Sequence, residues 1–191
     1  MGKGRIEAFS DGVIAIIITI MVLELKVPHE PTREAIMPLL PVFLSYILSF
    51  IYVGIYWNNH HHLFHTVERI NGQIMWANLH LLFWLSVIPF VTAWMGENHF
   101  EALPVSLYGF VLLMCGVAFE VLVNRLLAHH DRHSKLVAVL KRDYKGWVSV
   151  AMYFTAIILS FYLPYAACAL YVFVAILWLF PYRSIEKAAA E

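Results

Sequence analysis

The sequence predicts an all-α integral membrane protein with six transmembrane helices per subunit. Three observations carry that expectation. Of 191 residues, 61% are hydrophobic and only 14% charged, more apolar surface than a soluble domain of this size can hide. The apolar residues fall into runs of about 20, the length that crosses ~30 Å of hydrocarbon. Lysine and arginine are distributed very unequally between the two sides those runs define.

The spans follow in order. The first, 6–26, starts beneath a polar cluster, Arg5-x-x-x-Phe9-Ser10-Asp11, and residues 12–23 carry no charge. The N-terminus has no small-residue cleavage site, so this run reads as a retained helix. Pro28, Pro31, Pro38 and Pro41 mark the first outer loop and the start of the second span, 37–57. That span leads into Tyr56-Trp57-Asn58-Asn59-His60-His61-His62-Leu63-Phe64-His65. The third, 74–95, contains Asn78 and His80. The fourth is 103–127, followed by a basic, histidine-containing linker over 126–146. The fifth and sixth, 147–163 and 165–182, share a tight Leu163-Pro164 turn. No repeat or soluble segment divides the chain, so 1–191 reads as one six-helix transmembrane domain.

Positive charge sets the orientation. With the N-terminus in the cytosol, Lys3, Arg5, Arg69, Arg125, Arg132, Lys135, Lys141, Arg142, Lys145, Arg183 and Lys187 all lie inside. Only Lys26 and Arg33 fall outside, so both termini are expected in the cytosol. Trp57, Trp76, Trp94 and Trp147 fall near span ends, where interfacial aromatics belong. The formal net charge is zero, which gives no electrostatic reason to expect a nucleic-acid partner. Cys115 and Cys168 sit inside apolar runs and read as packing residues.

Ionisable groups in a membrane helix are costly, so the cluster at the first span singles that helix out. At about 100° per residue, Gly12, Ile16, Thr19, Ile20 and Leu23 share one stripe roughly 100° wide. Asp11 falls almost opposite. The stripe is free to face lipid, a neighbouring helix or a pore. The other side needs polar partners, because an unpaired buried carboxylate is expensive. Trp57, Asn58 and His61 after the second span and Asn78 and His80 on the third lie level with Arg5, Phe9, Ser10 and Asp11. Together they are expected to form a polar brace that fixes the first helix.

The cluster Arg5-x-x-x-Phe9-Ser10-Asp11, followed by a β-branched run, resembles the signature of the endosomal/lysosomal potassium channel family of transmembrane protein 175 and its bacterial relatives. YWNNHHHLFH and NLHLLFW with Pro89-Phe90 resemble that family's next two blocks, so the likeness covers roughly residues 1–95. The resemblance implies a potassium-permeable cation channel, here a single-repeat bacterial member assembled as a homotetramer in the inner membrane. It implies that the first helix lines the pore, with Ile16 as the hydrophobic gate, Ile20 and Leu23 as outer apolar layers and Thr19 as the ion-contacting hydroxyl. Glu24, on the stripe's edge at the outer end, is a candidate mouth acid, or else a solvated acid paired with Lys26 or Arg33. The sequence has no TVGYG-like segment for a carbonyl filter. The expected partners are identical subunits, lipid and potassium ions; no catalytic residue, metal or cofactor is expected.

Two other readings compete. Ten histidines, among them His60, His61, His62 and His65 and then His129, His130 and His133, suggest a membrane metalloenzyme with iron-binding clusters. The second cluster reads HHxxH, the reverse of the usual order, and nearby acids are limited to Glu68 and Asp131. A secondary transporter ordinarily shows repeats or broken midplane helices, and no repeat is present.

Overall fold

A computed structural model describes residues 2–65, 70–128 and 144–179. These residues form six long helices. Helix α1 is Lys3–Leu23. A short α2, Arg33–Ile36, and a 3-10 turn, Met37–Leu39, lead into α3, Leu40–His65. Helix α4 is Gly72–Glu97 and α5 is Ala102–Leu127. Helices α6, Tyr144–Ser160, and α7, Pro164–Leu179, complete the set. Residues 1, 66–69, 129–143 and 180–191 lie outside the described residues, and with them Glu68, Arg69, Asp131, Arg132, Lys135, Lys141, Arg142, Arg183, Lys187 and the histidines at 129, 130 and 133.

The helices depart from the expected spans in an informative way. Helix α1 starts at Lys3 and α3 continues through the polar YWNNHHHLFH block to His65. Backbone hydrogen bonding ends a helix, whereas hydropathy only marks where lipid ends. Helices α1, α3, α4 and α5 are long and apolar enough to cross a membrane, while α6 and α7 have 17 and 16 residues. At ~1.5 Å per residue those two cover roughly 25 Å, less than the hydrocarbon thickness.

Helix α4 is the hub, packed on α1, α3 and α5. Leu81, Leu85, Ile88, Val91 and Met95 on it are fully buried. Gly96 permits the α3 approach: a Cβ there would come within 2.7 Å of the Val42 backbone. Gly109 on α5 serves α7 in the same way, since a Cβ would overlap the Tyr171 hydroxyl. Asn71 caps α4, accepting the Ile74 N–H at 2.9 Å. The other end of α4 closes in a Schellman turn. His99 N–H bonds Gly96 O at 3.2 Å and Phe100 N–H bonds Met95 O at 3.0 Å. His99 holds φ 51° there, a conformation that glycine ordinarily supplies.

Buried hydroxyls tie the helices together. Ser49 Oγ lies 2.7 Å from Thr92 Oγ1 and 3.0 Å from Tyr108 Oη, joining α3, α4 and α5. Tyr52 donates to Tyr171 O at 2.6 Å, and Tyr171 donates to Val105 O at 3.2 Å. Each satisfies a polar group that lipid would leave unpaired. Cys115 is buried, Cys168 is half-buried, and both are free thiols.

Candidate ion path and polar brace

Helix α1 has two faces with different surroundings. Ile6, Ser10, Ile14, Ile17 and Met21 are buried against α3 and α4. Their spacing of three and four residues traces one helical face. Gly12, Ile16, Thr19, Ile20 and Leu23 are all exposed in the subunit, Ile16 by 58% and Leu23 by 78%. Thr19 donates its hydroxyl to Ile16 O at 2.8 Å. That bond uses the proton and leaves oxygen lone pairs outward, able to accept or to ligate a cation.

The exposed stripe borders an open groove of ≈ 580 Å³ between α1 and α4. Ile16 and Ile20 wall one side and Phe90 and Trp94 the other, with Glu24 and Glu97 at the C-terminal ends of α1 and α4. Lys26 bonds Glu97 at 3.1 Å, an exposed pair. Glu24 is exposed and pairs with neither Lys26 nor Arg33 among the described residues.

Behind the stripe, a polar chain crosses three helices. Asn78 Nδ2 donates to Ser10 Oγ at 2.9 Å, and Asn78 Oδ1 meets His60 Nε2 at 2.7 Å. An amide oxygen only accepts, so this contact places the proton on Nε2 of His60. All three residues are buried. His60 also stacks on Phe64, with ring centroids 4.4 Å apart. The chain pins α1 to α3 and α4 at the end where Lys3 Nζ reaches His65 O at 3.0 Å.

The remaining brace candidates are arranged differently. Asp11 is exposed in the subunit and accepts from Trp57 Nε1 at 3.0 Å. Its carboxylate is therefore not buried within the subunit, and the indole N–H supplies it a donor. His61 stacks on Trp57 at 5.8 Å and is itself exposed. His80 lies about half a turn beyond Asn78 on α4 and accepts from Trp84 Nε1 at 3.1 Å. Arg5 and Phe9 are exposed, and neither Arg5 nor Asn58 makes a side-chain hydrogen bond among the described residues.

His60 is the residue that sequence reasoning passed over in favour of His61. His60 lies seven residues, two turns, after Val53, which is fully buried, so both share the inward face of α3. The same phase turns His61 outward. Among the described residues no three His, Cys, Asp or Glu side chains gather as a metal site.

Residues 5–89 match the family model described as "Endosomal/lysosomal potassium channel TMEM175". A potassium channel from Chryseobacterium sp. (strain P1-3) is 53% identical over 191 residues, covering 100% of both chains. A potassium channel from Chamaesiphon minutus is 36% identical over 174 residues, 83% of this chain and 84% of that one. The crystal structure of a lysosomal potassium-selective channel TMEM175 homolog from Chamaesiphon minutus superposes with a TM-score of 0.77 at 32% identity. It covers 93% of this chain and 96% of its own.

Proposed function

This chain belongs to the TMEM175 endosomal/lysosomal potassium channel family, a family of channels and not of enzymes, and from that premise we propose that it is a potassium-permeable channel whose ion path follows Ile16, Thr19, Ile20 and Leu23. Four identical subunits enclose the path, with α1 of each nearest the axis. One helix stripe cannot surround an ion, and a closed ring is the simplest way for copies to do so. The observation that carries the reading is the exposure of this stripe on a helix whose other face is fully committed to α3 and α4. Lipid would also leave an apolar stripe exposed. A hydroxyl at Thr19, a carboxylate at Glu24 and the family's channel character favour water and ions.

The proposed mechanism needs few parts. Four Ile16 side chains form a narrow apolar ring, which excludes water and with it hydrated ions. Opening widens the ring or changes its rotamers. Thr19 oxygens, one turn outward, replace part of an ion's hydration shell. Glu24 side chains concentrate cations at the mouth. No TVGYG-like carbonyl filter and no cofactor take part. The brace at Ser10, Asn78 and His60 holds α1 in register without touching ions. The chain sits in the bacterial inner membrane with both termini in the cytosol.

Potassium flux into liposomes carrying the purified protein tests this. Ile16→Asn introduces a polar group at the ring, and the basal leak should rise at least several-fold. An unchanged leak would place the constriction elsewhere.

A further inference from the structure

We propose that the polar end of α3 binds a late divalent transition-metal ion, of the Zn²⁺, Ni²⁺ or Cu²⁺ class, between the imidazoles of His61 and His65. Neither ring takes part in the chain that joins Ser10, Asn78 and His60. The two residues are four apart on one helix, so their side chains leave the same face, one above the other. Their ring centroids stand 6.2 Å apart. Both residues are exposed, whereas His60 is buried. Among the described residues no hydrogen bond engages a ring nitrogen of either one. Solvent or a ligand is left to meet those nitrogens.

The geometry admits a shared ion. At a metal–nitrogen distance of ~2.0–2.1 Å, two rings directed at one ion have centroids roughly 5 Å apart. The pair closes that gap through rotations that exposed side chains make within their ordinary rotamer wells. Water completes the coordination shell, since among the described residues no group of three His, Cys, Asp or Glu gathers there.

Two contacts hold the pair in place. Trp57 donates to Asp11 at 3.0 Å, and His61 stacks on that indole with centroids 5.8 Å apart. Lys3 Nζ donates to His65 O at 3.0 Å, which ties the last turn of α3 to α1. The Lys3 charge would repel a metal ion, but Glu7 stands 4.0 Å from it and offsets it. Side chains already restrained in this way lose less freedom on binding.

The ligand type selects the ion. Imidazole nitrogen suits zinc, nickel and copper, with copper bound most tightly of the three. Mg²⁺ and Ca²⁺ require several hard oxygen ligands, and two imidazoles supply none. None of the α1 stripe residues takes part.

Isothermal titration of ZnCl₂ into the purified full-length protein, with any affinity tag removed, tests the site. Zinc should bind saturably, and MgCl₂ should give only the heat of dilution. His61→Ala and His65→Ala should each weaken zinc at least tenfold, because one imidazole alone cannot chelate. His62→Ala should change the affinity less than twofold. Electron paramagnetic resonance of the copper-loaded parent needs no variant and should show two nitrogen ligands, which keeps the test valid if a variant fails to fold. Zinc affinity unchanged in a folded His61→Ala/His65→Ala protein, a tenfold loss on His62→Ala, saturable binding of Mg²⁺ at the same site, or a copper spectrum with fewer than two nitrogens would each overturn the proposal. Potassium flux is not the readout, so the ion path and this site stand or fall separately.

Discussion

Ile16 and Ile17 are adjacent in α1, yet Ile16 is 58% exposed and Ile17 only 2%. The 100° turn between them separates the face that holds the subunit together from the face left exposed. The same substitution should therefore do different things at the two positions. Ile17→Asn loses packing and buries an amide, a cost of about 3 kcal/mol or more. Ile16→Asn should change stability by no more than about 0.5 kcal/mol. Thermal unfolding in detergent measures both. Equal destabilisation at the two sites would contradict the division of faces.

Asn78 satisfies Ser10 and His60 with the two ends of one amide. Asn78→Leu keeps the volume and orphans both partners, so it should destabilise the protein by about 1–3 kcal/mol. Ser10→Ala should cost less in the Asn78→Leu background than in the parent, because the shared bond is already gone. Additive losses in that double-mutant cycle would mean that the two residues do not act as a unit.

His99 occupies the left-handed position of the turn after α4. A side chain there costs roughly 1–2 kcal/mol, which glycine avoids while losing some entropy on folding. His99→Gly should raise stability by about 0.5–1 kcal/mol, visible as a higher melting temperature. A fall would show that the imidazole makes a contact worth more than the strain.

Much of the site was legible because a helix has a fixed period. The spacing of Gly12, Ile16, Thr19, Ile20 and Leu23 defines one stripe before any tertiary contact is known, and all five are exposed in the subunit. Asn78 was legible as a partner for the first helix because an amide in an apolar run needs one. The choice between His60 and His61 required the phase of α3 relative to α4, which a run of three histidines obscures. The Ser49, Thr92 and Tyr108 cluster was not legible, because single hydroxyls scattered over three helices show no pattern until the helices pack. Asp11 was expected to need a polar partner within its own subunit, with Trp57 among the candidates; it accepts from Trp57 Nε1 while staying at the exposed edge of the subunit, a position that only the packing of α1 on α3 reveals.

The sequence by itself determined that the chain is helical and membrane-embedded, and that α1 has an apolar stripe set apart from its polar cluster. Those properties follow from composition and from the local geometry of one helix. Only the tertiary structure decided which polar groups meet and that α4 is the hub. Such contacts join residues far apart along the chain, and the rotation of each helix about its own axis, which packing alone fixes, selects them.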